Sequence, residues 1–482
     1  MNNFHEQAMS FVYQQVLHRL QGVLERTERI ALQLLIQRLL VAAGGLDRLA
    51  QYRVMVVLEG GRECAYTLAF LRAAQLSIAG RYPDTFILRV AILHQPRLTP
   101  RVLERIEAQF SELFLYDDHR VELLSVDDKG VRRLDKHLDG ISKSSARDRV
   151  MMLMSGHLTR GDARGTFFYA DLLARAKLFS SAFEWGQPAD AVIDRRPPRH
   201  LARYMAWIQR VASQRGHAGQ PVNRDDLHAS VRLCSFLDDD YKDALCLASN
   251  DQPYSPLAGG KNITVLNVFD CLFTDIDLFN SRLLTYLHGS FALKDLDIEE
   301  PQMAVIVLAA HLQGLRAACD PSLSYSAGVE MYWQQAATQY PPNERLKGQL
   351  ITLLGAAFNT PRRIDQLRLI TARYLDELYG ISEVQLGCFI YSPFINEGQN
   401  LECFLRNCYP DKLRFINEYH QIMMDKPLSP PVDVTWLEHV SGLPLSSIQV
   451  LYRMQHVQFR EDDSLMTSLW ASDPHKQPWT LA

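Results

Sequence analysis

Between residues 52 and 126 the chain reads strand, helix, strand, helix, strand, and this alternation limits the fold more than any other feature. Tyr52-Arg53-Val54-Met55-Val56-Val57-Leu58 is a short apolar, β-branched run that ends at Glu59-Gly60-Gly61. Ala65 to Leu76 then has helical spacing through Leu68, Leu71 and Ala74. Phe86 to Leu93 is a second strand pattern, Thr99 to Phe110 a helix opened by Thr99-Pro100, and Val121 to Val126 a third strand. Strands apolar on both faces need helices on both sides, so the pattern predicts an α/β fold with a parallel doubly wound sheet.

Apolar residues at Met9, Val12, Val16, Leu20, Val23, Leu24, Leu35, Leu39 and Leu40 predict one long helix, or two in series, ending at Gly44-Gly45. From Pro301 the chain turns mainly α-helical. One helix there is marked by Thr360 as N-cap, Pro361, inward Ile364, Leu367, Ile370, Tyr374 and Leu378, and Gly380 as stop. The expected division is an N-terminal helix over 1–44, an α/β domain over 45–290, a mainly helical domain over 291–460 and a tail over 461–482, with Trp470 to Ala482 loose.

Lys and Arg number 51 against 55 Asp and Glu, and the net charge of −4 gives no electrostatic reason to expect nucleic acid or anionic lipid as a partner. No apolar run approaches the ~18 to 20 residues of a membrane helix, and Met1-Asn2-Asn3-Phe4-His5-Glu6 lacks the features of a secretory leader, so a cytoplasmic location is expected. Eight cysteines are scattered without a C-x-x-C pair, the usage of reduced, structural thiols.

Two glycines after a buried strand and before a helix let the backbone approach a ligand and aim the free amides of the first helical turn at an anion. The same pair serves as a plain strand-to-helix turn, with Glu63 a favourable acid in the first turn. Val54 to Ala65, containing Glu59-Gly60-Gly61-Arg62-Glu63-Cys64, resembles the signature loop of the PP-loop ATP pyrophosphatases, in which a strand runs into Ser-Gly-Gly-x-Asp-Ser and a helix. Leu88 to His94 is similar to that superfamily's second strand.

Its asparagine-synthetase-like branch fits further. Met152-Leu153-Met154-Ser155-Gly156 stands about where the branch has its second loop, and Arg232-Leu233-Cys234-Ser235-Phe236-Leu237-Asp238 resembles its Arg-x-x-Pro-Phe-Leu-Asp; Tyr391 to Asn396 is an alternative match for the latter. The resemblance covers about residues 5 to 265. It implies a PP-loop or HUP-like sheet, ATP held by Gly60, Gly61, Arg62, Cys64, Ser155 and Gly156, and Mg²⁺ held by Glu63 or Asp238. The implied reaction is adenylation of a carboxylate, with pyrophosphate released, followed by amide formation.

The sequence departs from the family at the chemistry. Glu59 replaces the first Ser, Glu63 the Asp and Cys64 the last Ser, so the glycines stay while both hydroxyl donors go. His157-Leu158-Thr159-Arg160 stands where acidic metal-binding residues belong. Two functions follow: a degenerate asparagine-synthetase-like protein that binds an adenine nucleotide, with or without ligase activity, or a non-catalytic scaffold whose C-terminal helices engage a protein partner.

Other motifs carry less. Asp117-Asp118-His119 and Asp127-Asp128 read as exposed turns or as acids of a metal site at the sheet edge, and Asp238-Asp239-Asp240 as an acidic turn or helix start. Leu266 to Thr274 faintly resembles the first motif of haloacid-dehalogenase-like phosphatases, but Asn267 stands where the nucleophilic Asp would be, which assigns it to core packing. Val434 to Leu451 has helix-turn-helix spacing about Gly442, with Leu437, Leu443, Ile448 and Leu451 inward; two packed helices in an α-helical domain explain it more readily than a DNA-binding motif does. Nothing in the sequence sets the oligomeric state.

Overall fold

The computed structural model describes residues 2–58, 62–94, 98, 100–127, 129–134, 146–194, 198–217, 227–247, 263–268, 301–319, 322–339, 360–425 and 434–474. The chain forms two compact units. One is made of residues 1–141, 174–235 and 252–295, and the other of residues 142–173, 236–251 and 296–482. The division is not linear along the chain, because residues 142–173 and 236–251 group with the C-terminal helices.

The first unit is α/β. It opens with α1 (Asn2–Val23), α2 (Arg26–Ala43) and the short α3 (Leu46–Leu49). The long N-terminal stripe is thus two helices in series, and local chemistry makes the break. Glu25 and Glu28 form a capping box at the start of α2, while the Arg29 guanidinium donates to the carbonyls of Leu24 (3.0 Å) and Gln21 (2.9 Å) at the end of α1. Both helices pack on α4 (Arg62–Ala79), the crossover between β1 (Arg53–Leu58) and β2 (Ile87–Leu93).

Then come α5 (Pro100–Glu112), β3 (Val121–Asp127), β4 (Gly130–Arg133), β5 (Ala191–Asp194) and β6 (Thr264–Asn267). The sheet order is β4-β3-β2-β1-β5-β6. Every pairing is parallel except that of β4, an antiparallel edge strand on β3. From β1 the sheet grows through β2 and β3 on one side and through β5 and β6 on the other. That reversal beside β1 is the topological switch point of a doubly wound sheet.

Two buried arginines brace this unit. Arg72 of α4, fully buried, donates to Asp118 (2.8 Å), Gln75 (2.6 Å) and the carbonyls of Leu113 and Phe114. Asp118 also accepts two bonds from the Arg120 guanidinium, so it is a buried brace and not the exposed turn acid of the sequence reading. Arg89 of β2, equally buried, donates to Glu122 of β3 and to the carbonyls of Ala182, Phe183 and Gln187. These carbonyls lie at the end of α8 (Tyr169–Glu184) and just beyond it, where a cation offsets the helix dipole. Further helices are α9 (Pro198–Gln214) and α10 (Leu227–Ala244), of which residues 236–244 are counted with the second unit.

In chain order the second unit has α6 (Ala146–Leu158), α7 (Ala163–Phe167), α11 (Pro301–Ala318), α12 (Tyr325–Gln339), α13 (Pro361–Tyr379) and α14 (Glu383–Tyr391). It continues with α15 (Leu401–Cys408), α16 (Ile416–Met423), α17 (Val434–Ser441), α18 (Leu445–Tyr452) and α19 (Leu465–Ser472). The α13 boundaries expected from Thr360, Pro361 and Gly380 hold, but Ile370 is 53% exposed beside Leu369, so the buried stripe omits it.

Glycines set how closely these helices approach. A Cβ on Gly328 of α12 would lie 2.5 Å from the Ala317 Cβ and 2.6 Å from the Gln313 carbonyl oxygen of α11. The expected tail is helical up to Ser472 and anchored after it. Asp473 is buried, pairs with the Arg164 guanidinium and accepts from the Tyr169 hydroxyl at 3.0 Å.

Candidate functional site at the sheet switch point

Open α/β sheets bind ligands outside the carboxyl ends of their strands, at the switch point. Here that edge carries Leu58 at the end of β1, His94 just past β2, Asp127 at the end of β3, Asp194 at the end of β5 and Asn267 at the end of β6. The register aligns Ile92 with Ser125 and Asp194 with Asn267. Asp194 and Asn267 are both buried, so this edge of the sheet presents polar groups held in place by the packing around them.

His94 and Ser125 form the best-defined pair. Their Nε2 and Oγ atoms are 2.6 Å apart. Burial lowers the His94 pKa, opposed by the Asp127 carboxylate and assisted by Arg132, so the ring is neutral at pH 7. Asp127 is itself tied by the Arg132 guanidinium at 2.7 Å and the Lys129 amide at 2.9 Å. A neutral imidazole bonded to a hydroxyl is able to hold a polar ligand group or move a proton.

The glycine pair follows β1 in the chain. Glu59, Gly60 and Gly61 lie outside the described residues, and Arg62 and Glu63 are described by their backbone alone, as the first residues of α4. Cys64 is buried, at 2% exposure. These residues belong to the α/β unit, whereas Ser155, Gly156 and Asp238 belong to the helical one.

The segment expected as a second loop is the buried interior of α6. The Ser155 hydroxyl is 2.8 Å from the Tyr241 hydroxyl, and Gly156 lies under the Phe389 ring, where a Cβ would come within 2.7 Å. Helical amides are spent on the helix's own carbonyls and hold no phosphate mid-helix. Asp238 lies within α10, 1% exposed and paired with Lys242 at 2.9 Å. That partner neutralises it, so Mg²⁺ does not fit there. Among the described residues no group of three His, Cys, Asp or Glu side chains is gathered to hold a metal ion.

In the helix-turn-helix segment the inward residues Leu437, Leu443, Ile448 and Leu451 are all buried. Glu438 accepts the Leu445 amide at 2.9 Å, capping α18, and Gln449 donates to the Ile422 carbonyl at 3.0 Å. Both polar side chains are therefore engaged within the fold. No described helix is long and apolar enough to cross a membrane. No family model matches the chain, and neither does a curated protein or a solved structure.

Proposed function

We propose that the α/β unit binds an adenine nucleotide, its phosphates against the Gly60-Gly61 turn and the first amides of α4, and that the protein is a degenerate relative of the asparagine-synthetase-like PP-loop proteins. One observation carries this reading: the parallel order β3-β2-β1-β5-β6, which sets the end of β1 beside that of β5 at the switch point. Buried Asp194, with the neutral His94–Ser125 pair further along the same edge, supplies polar groups suited to a ribose or a base. Glu63 is the carboxylate that the resemblance offers to Mg²⁺, which reaches such sites on the nucleotide's own phosphates.

The helical Ser155-Gly156 and the ion-paired Asp238 favour binding without ligase chemistry. The described cysteines are free thiols, as suits a reducing, cytoplasmic setting. A second role, engagement of a protein partner by the C-terminal helices, is favoured by the exposed Leu369 and Ile370 side by side on α13.

Calorimetric titration with ATP and Mg²⁺ tests the reading. Wild type gives a saturable heat that Gly61→Val removes, and no pyrophosphate is released with any carboxylic acid. Absence of heat from wild type rejects nucleotide binding and leaves the partner role, and pyrophosphate release restores the ligase.

A further inference from the structure

The helical unit has a cavity of its own, of about 120 Å³, between the turn after α6, the face of α11 and residues 456–459. Arg160, Asp162, Arg164, Arg316, His456 and Trp470 are among its walls. We infer that this cavity binds a small oxyanion, a phosphate or carboxylate group, held by Arg160 and Arg316 and by a ring N–H of His456.

The turn is built for the purpose by its backbone. Arg160 and Gly161 are consecutive left-handed residues, with φ of 51° and 75°, and they reverse the chain between α6 and α7. The Arg160 carbonyl accepts from the Arg316 guanidinium, which also donates to Gln313 at 3.2 Å. Arg316 is thereby fixed to the turn that carries Arg160, and both line one cavity.

Charge selects the ligand. Arg164 is matched by the buried Asp473, at 2.8 Å. Asp162 caps α7 by accepting the Gly165 amide at 2.7 Å. Two guanidiniums, of Arg160 and Arg316, thus face one carboxylate, and the cavity has a cation to spare. Burial lowers the Arg316 pKa to about 10, which still leaves it charged at neutral pH.

His456 supplies the second, independent observation. It is 4% exposed, its ring lies close to the backbone of Leu158 and His157, and neither ring nitrogen makes a hydrogen bond of good geometry. Burial is the first cause of a pKa of about 4, Arg160 lowers it further, and hydrogen bonding to the backbone of Leu158 and His157 raises it only in part. A neutral imidazole always carries one N–H donor, and a buried donor with a poorly aligned acceptor is costly. An oxyanion within the cavity provides a better aligned one.

Size limits the ligand. An apolar cavity of ~150 Å³ holds one benzene, so this one takes about five heavy atoms: inorganic phosphate, the head of a phosphomonoester, or a short carboxylate. Leu312, Tyr332 and Phe459 add apolar wall, which suits a small organic tail better than a fully hydrated ion.

The test is calorimetry on the full chain with inorganic phosphate, glycerol phosphate and acetate in turn. At least one gives a saturable heat with wild type, and the strongest names the source. Arg160→Gln, whose side chain is exposed and safe to change, weakens that ligand about tenfold, and Arg316→Gln weakens it further. In histidine-labelled protein the His456 ring resonances shift on addition of the ligand, whether or not the Arg316 variant folds. Equal affinity in wild type and Arg160→Gln with an unmoved His456 resonance, or no saturable heat from any of the three, overturns the inference. Heat that Gly61→Val removes while the arginine changes spare it belongs to the α/β unit and also counts against this site.

Discussion

The two units handle buried polarity with different residues. The α/β unit buries charge and satisfies it: Arg72 and Arg89 each meet a carboxylate and several carbonyls. Burial alone would raise the Asp118 carboxyl, but hydrogen bonds and charge from Arg120 and Arg72 hold it at about 2. The helical unit also buries ion pairs, Arg164 with Asp473 and Lys242 with Asp238, and adds neutral imidazoles, with His157, His311 and His456 at 0%, 1% and 4% exposure. His157 lies against the Phe389 and Phe394 rings, with neither nitrogen bonded. The difference teaches that the sheet is braced by buried charge, whereas the helical unit combines buried ion pairs with buried imidazoles, of which His157 has no bonded ring nitrogen.

Acid should separate the two most strongly. Burial lowers His157 and His311 to about 3 and His456 to about 4, from 6.5. Below 6.5 the unfolded chain takes up protons that the folded unit refuses, so stability falls as pH drops from 6.5 toward those values. At pH ~4.5 each ring costs roughly 2 to 3 kcal/mol. Asp118 works in a lower window: its depressed pKa adds stability above 3.8, which is lost only as pH falls toward 2. Hydrogen exchange corrected for intrinsic rate should show peptides of α11 and α14 losing protection near pH 5 while β1 to β3 keep theirs. Earlier loss in the sheet would break the comparison.

Next in size, Arg72→Met should destabilise the α/β unit by about 3 to 5 kcal/mol, since it removes the cation from a buried, charged Asp118. The double change Arg72→Met with Asp118→Leu should cost less than the sum of the single changes in denaturant unfolding. Strict additivity would mean that the pair is not coupled.

A smaller effect belongs to helix packing. Gly328→Ala forces a methyl against the α11 backbone and should cost about 1 to 3 kcal/mol in thermal unfolding. No loss of stability would show that α11 and α12 can move apart, and that packing in the helical unit is looser than its glycines suggest.

How much of this was legible follows from the kind of signal each element gives. β1, β2, β3, α4 and α5 were readable because buried strands and their crossover helices impose uniform apolar runs and a clear 3.6-residue period. β4, Gly-Val-Arg-Arg, was not, since an edge hairpin strand needs no apolar face. β5 is four residues long, below the length at which periodicity speaks. Asp118 looked like a turn acid because the arginine that buries it, Arg72, lies 46 residues away. His94 directly follows the apolar run of β2, but its bond to Ser125 depends on the β2–β3 register, which no local pattern encodes. The cavity in the helical unit gathers residues 159–164, 309–316, 332, 456–459 and 470, a grouping visible only after folding.

The most direct test of nucleotide binding by the α/β unit is where ATP protects the backbone. Hydrogen exchange with and without ATP and Mg²⁺ should slow in peptides spanning the end of β1 into α4 and the end of β5, with Gly61→Val abolishing the change. Protection confined to the turn at 159–164, or none at all, would contradict the account and leave the parallel sheet as a scaffold without a nucleotide.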